Sequence, residues 1–166
     1  IIEELSQKVL DTKESNINIP EFENRDIWFN ENVLNQLGML NYNIQAIEDV
    51  KYRELFFLIL LSILNNCSRK RKTWNLGYLA DNCLPNMDRN VNVINLYKSK
   101  LKLLQKRTDF LPQDSTNTVQ CIESDVLKTN ISGVDLVVTS PPYPFAVDFI
   151  RYHRLALYWM GKPVEE

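Results

Sequence analysis

The sequence predicts an α/β fold in which a large, mainly helical region over residues 1–112 precedes a partial α/β region over residues 113–166. Three observations predict it. Val134-Asp135-Leu136-Val137-Val138-Thr139 is a short apolar run with adjacent β-branched residues, the pattern of a strand covered on both faces in a parallel sheet. Thr118-Val119-Gln120-Cys121-Ile122-Glu123-Ser124-Asp125-Val126 reads as a second strand with alternating apolar positions, closing on the acidic Glu123 and Asp125. Upstream of both, between Glu31 and Arg107, apolar residues recur at the three- and four-residue spacing of helices.

Taken in order, Ile1 to Leu10 is expected as an amphipathic helix, followed by a polar loop rich in Asn and Ser through Asn18 and Pro20. Glu21 to Asn30 is expected to be irregular. From Glu31, the positions Val33, Leu34, Leu37, Leu40, Ile44 and Ile47 follow helical spacing, with Asn30 as N-cap. A helix from Lys51 to Asn66 is apolar almost all round at Phe56-Phe57-Leu58-Ile59-Leu60-Leu61, which predicts a central place in the helical region. Asn82 to Asn90 reads as loop. Val91 to Arg107 reads as a helix with Val93, Ile94, Tyr97, Leu101 and Leu104 on one side, and Phe145 to Met160 as a last helix.

Composition bounds the function. With 166 residues, 45% hydrophobic and 24% charged, the chain is expected to form one globular unit rather than a disordered one. A net charge of −2 gives no global attraction to nucleic acid, so any such contact needs a local patch. Cys67, Cys83 and Cys121 are scattered and His153 is the single histidine, which indicates neither a disulfide framework nor a zinc site and fits a reducing cytoplasm. The longest apolar stretch, Leu55 to Leu64, contains Ser62 and falls well short of the roughly 20 residues of a membrane span. No signal-peptide or lipidation pattern is present.

The strongest chemical signal is the Ser140-Pro141-Pro142-Tyr143 loop that ends the apolar run. Two prolines stiffen it and leave carbonyl oxygens without neighbouring donors, at the carboxyl end of a strand, where open α/β sheets bind ligands. Such a loop suits the methylation of an exocyclic amino group. That nitrogen is a poor nucleophile because its lone pair is delocalised into the base. Two acceptors on its two hydrogens draw it toward a tetrahedral shape, and the Ser140 oxygen and the Pro141 carbonyl are the candidates. Tyr143 offers a ring on which an unstacked base can lie, worth roughly 1–3 kcal/mol. A Pro-Pro-Tyr sequence also serves as a plain turn or a proline-rich ligand.

Thr139-Ser140-Pro141-Pro142-Tyr143 resembles the catalytic loop of S-adenosylmethionine-dependent amino methyltransferases, the Ser form being most typical of DNA cytosine-N4 enzymes. The segment Asp148-Phe149-Ile150-Arg151-Tyr152-His153-Arg154-Leu155-Ala156-Leu157-Tyr158-Trp159-Met160-Gly161 is similar to the one following that loop in a bacterial branch described as site-specific DNA methylases. Trp28-Phe29 with Leu34 and Leu37, and the helical run ending in Cys67-Ser68-Arg69, resemble that branch's helical insertion. The resemblance implies a partial Rossmann-like methyltransferase sheet, bacterial and cytoplasmic, with S-adenosylmethionine as cofactor, DNA as substrate and a restriction endonuclease as an expected partner. Ser140, Pro141, Pro142 and Tyr143 would carry the amine chemistry. Asp125 aligns with the family's adenine-contacting strand end, with Val126 packing on the purine; the alternative is that Ser124-Asp125 caps the turn before Leu127.

The chain departs from the family at one point. Gly38, Gly77, Gly133 and Gly161 stand far apart, so the glycine-rich turn that lets a backbone approach this cofactor is absent. The chain, beginning at Ile1 without Met and stopping at Glu166, is therefore expected to be a fragment lacking tight cofactor binding, with the turn upstream and a target-recognition region downstream. A permuted order is the alternative, disfavoured because the acidic strand end precedes the Ser-Pro-Pro-Tyr loop. For DNA contact the candidates are Arg69-Lys70-Arg71-Lys72, Arg151 and Arg154, each with a solvated reading beside it. His153 and Asp148 are candidate proton acceptors, Asp148 being equally placed as a helix N-terminal charge. Two rival functions remain: an RNA or protein-glutamine amino methyltransferase, and a non-catalytic helical module of a restriction–modification system.

Overall fold

The computed structural model describes residues 1–11, 16–69, 86–108, 118–125, 127–140 and 149–164, with backbone alone at residues 149 and 151. Among these residues six helices follow one another: α1 (Ile2–Leu10), α2 (Arg25–Trp28), α3 (Glu31–Gln45), α4 (Val50–Cys67), α5 (Val93–Thr108) and α6 (Phe149–Trp159). No strand is formed among the described residues, and this overturns the α/β expectation.

The two expected strands are where the difference lies. Residues 118–125 and 134–140 have no ladder partner, and their apolar side chains face water: Val119 is 96% exposed and Val138 87%. The sequence excludes one pairing by length. Only residues 126–133 lie between the two segments, fewer than the dozen or so a parallel crossover requires, so they cannot pair directly in parallel. Neither segment meets a third strand among the described residues, and β-propensity without a neighbour to pack on decides little.

Burial is concentrated instead in the helices. α4 lies at the centre, packed against α3, α5 and α6, as its nearly all-round apolarity predicts. Phe56, Ile59, Leu60, Ile63 and Leu64 are buried on it, while Leu58 remains 62% exposed. Around it stand Val33, Leu37, Leu40 and Ile44 of α3, Val93, Tyr97 and Leu101 of α5, and Leu155 and Trp159 of α6. Val9 brings in α1, and Trp28 and Phe29 seat the short α2 that the sequence leaves irregular. No helix among the described residues is long and apolar enough to cross a membrane.

Asparagine and glutamine side chains tie the pieces together. Asn30 caps α3, its Oδ1 accepting from the Val33 N–H at 2.8 Å, while its Nδ2 donates to the Arg89 carbonyl at 2.9 Å. Asn43 donates to the Val9 and Asp11 carbonyls and so closes the C-terminus of α1. Buried Asn41 donates to the Asn18 carbonyl at 2.9 Å, and the Asn18 N–H donates to the Gly38 carbonyl at 3.1 Å. Gln36 Oε1 accepts from the Val93 N–H at 2.9 Å, so α3 satisfies the start of α5 across the core. Asn92 adds a local cap to the same helix, accepting from the Asn95 N–H.

Candidate functional site

Ser140 is exposed and lies in a described segment, residues 127–140, that has no helix or strand. Pro141, Pro142 and Tyr143 lie outside the described residues, as do Asp148, Val126 and the basic Lys70, Arg71 and Lys72. Beyond the loop, Leu155 and Trp159 anchor α6 in the core, whereas His153 is exposed and meets Tyr152 edge-on with ring centroids 4.9 Å apart. The side chain of Arg151 is not among those described, and Arg154 is half-buried.

Asp125 is engaged in a turn of its own. Its Oδ1 accepts from the Leu127 N–H at 3.0 Å, and its carbonyl accepts from the Lys128 N–H at 2.9 Å and the Thr129 hydroxyl at 2.8 Å. Lys128 Nζ stands 3.9 Å from Oδ2, a surface ion pair of little energetic weight. This is the Asx-turn geometry that Ser-Asp sequences favour. Gly133 and Gly161 each adopt a positive φ with open space around them, and neither belongs to a run of glycines. Among the described residues no three His, Cys, Asp or Glu side chains gather in a metal-binding group.

Arg69 is held against the helical region. Its N–H donates to the Trp28 carbonyl at 2.7 Å and its Nη1 to the Asp26 carbonyl at 2.8 Å, which commits part of the guanidinium to structure. It lines a cavity of about 480 Å³ with Arg25, Asp26, Asn30 and Glu31. The hydrogen bond that Arg25 Nη1 donates to Glu21 Oε1 at 2.8 Å, with smaller help from Asp26, raises the Arg25 pKa and holds it cationic. The carboxylates around this cavity balance its two guanidiniums.

A second cavity, about 470 Å³, lies in the groove between α1 and α5, away from Ser140 and Asp125. Leu10, Leu55, Leu101 and Leu104 make its floor, and Lys98 and Lys102 stand along its edge. These lysines do not form a consecutive basic run; their signal in the sequence is α5 itself, which carries five basic residues and no acidic one. In comparisons with known families, curated proteins and solved structures, the chain has no match.

Proposed function

We propose that this chain carries the target-amine loop of an S-adenosylmethionine-dependent DNA amino methyltransferase forming N4-methylcytosine, with N6-methyladenine as the other product compatible with the loop. The single observation that carries the reading is Thr139-Ser140-Pro141-Pro142-Tyr143, together with the similar segment that follows it. Exposure of Ser140 supports it, because the hydroxyl is open to a ligand. In this reading the Ser140 oxygen and the Pro141 carbonyl accept the two amino hydrogens and localise the lone pair on nitrogen. Tyr143 stacks on the extruded base and offsets part of the few kcal/mol that extrusion costs. S-adenosylmethionine is the methyl donor the reading requires, and its binding turn is not supplied by the described residues.

The test is methyl transfer by the natural gene product onto duplex DNA, read as N4-methylcytosine or N6-methyladenine after digestion to nucleosides. Ser140→Ala is expected to lower turnover about a hundred-fold, the scale of losing one preorganised polar contact to the reacting group. Unchanged turnover in that variant, or no methylated base from the unaltered protein, would remove the reading. The helical-module alternative is favoured by one observation: the buried core is helical and the segment carrying Ser140 adds nothing to it. It predicts partner binding that Ser140→Ala leaves intact and no methyl transfer to lose.

A further inference from the structure

We propose that the groove between α1 and α5 docks a short acidic amphipathic helix of a partner protein, a role independent of the methyltransferase reading. The apolar floor is laid by three helices: Leu10 from α1, Leu55 from α4, and Leu101 and Leu104 from α5. Lys98 and Lys102 stand beside it one helical turn apart. Lys100, Lys106 and Arg107 complete a helix of five cations with no carboxylate in its sixteen residues. None of the five has an ion-pair partner among the described residues, and among the described residues lining the groove Glu3 is the one carboxylate.

Shape and charge together select the occupant. From Lys98 to Thr108 the wall of α5 runs about 15 Å, the length of about three turns of a docked helix. An apolar face laid into a helix-walled groove is a recurring mode of peptide recognition. Carboxylates one turn apart beside that face match two lysines one turn apart on the edge, whereas a single-headed amphiphile would use one lysine and leave the other unmatched. Nucleic acid would match the cations but has no apolar face for the four leucines.

The experiment is fluorescence anisotropy on the 166-residue chain, with a labelled synthetic helix bearing leucines on one face and glutamates four residues apart beside them. The control peptide carries lysines at the glutamate positions. The acidic peptide is expected to bind at least about ten-fold more tightly than the control and to lose about ten-fold or more in the Lys98→Glu/Lys102→Glu double variant. Ile2→Ser, which trims a half-exposed residue of the groove, is expected to weaken it by a smaller factor with unchanged helical circular dichroism. No binding, equal binding of the two peptides, or indifference to the lysine reversals would overturn the proposal. Displacement of the peptide by dodecanoate or by a duplex oligonucleotide would overturn it too, reassigning the groove to a small amphiphile or to nucleic acid.

Discussion

Cys67 ends α4 fully inside the protein, and burial pushes its thiol from the ordinary 9.0 up to about 12, the charge of Arg89 pulling weakly the other way. A thiol so placed is neutral at physiological pH and unreactive. Cys121, in the exposed extended segment, differs in access. In a Cys83→Ser background, iodoacetamide is expected to label Cys121 in the native protein and Cys67 only after unfolding, as mass spectrometry would read; native labelling of Cys67 would refute its burial. The same shift fixes a pH dependence. The neutral thiol is favoured in the folded state, so the contribution is whole below pH 9 and is lost as pH rises from about 9 toward about 12. Denaturant midpoints should fall over that window, and by less in Cys67→Val. Burial also raises Tyr97, whose hydroxyl donates to the Phe56 carbonyl at 2.9 Å, so the tyrosine adds to the same alkaline decline. The sequence marks Tyr97 as core by spacing, but neither the burial of Cys67 nor the Tyr97–Phe56 bond, because the carbonyl that receives it belongs to another helix.

Among the elements, α3 does the most to organise the others, and Gly38 shows how. A Cβ at this position would stand 2.6 Å from Ile17 Cγ2 and 2.6 Å from Ile19 Cγ1, so glycine permits the segment around Asn18 to lie directly on the helix. Gly38→Ala would favour the isolated helix by about 1 kcal/mol. Overpacking works against it, at about 1–3 kcal/mol, and would disturb the paired hydrogen bonds that Asn18 makes with Gly38 and Asn41. The expected outcome is a net loss of about 1 kcal/mol in urea unfolding; a net gain would show that the segment yields without cost. Helix existence was legible from spacing in α1, α3, α4, α5 and α6, and the Asn30 cap from its place before Glu31. What spacing did not reveal is α2, a single turn too short for periodicity, or Gln36, whose capping partner lies 57 residues away.

For the molecule as a whole, the division is between a helical body and residues 118–125 and 127–140, which have no helix or strand and contribute no side chain to the core. The longer α6 after them rejoins α4 through Leu155 and Trp159. A tryptic cut after Lys128, whose side chain is 83% exposed, should therefore separate the chain covalently without releasing α6. The two pieces are expected to co-elute in size-exclusion chromatography and part only in denaturant; separation under native conditions would show that the α4–α6 contact does not hold alone. By itself the sequence determined five of the six described helices and the buried faces of α3 and α5, because the 3.6-residue period is a local property that apolar spacing encodes. It also determined the Ser140-Pro141-Pro142-Tyr143 motif on which the methyltransferase proposal stands. Only the tertiary structure decided that the valine-rich segments form no sheet, that Asp125 folds into its own turn, and that leucines from α1, α4 and α5 meet beside Lys98 and Lys102. Those outcomes rest on partners distant in the chain, since a strand needs a ladder and a groove needs two walls, and neither is written in the spacing of a single segment.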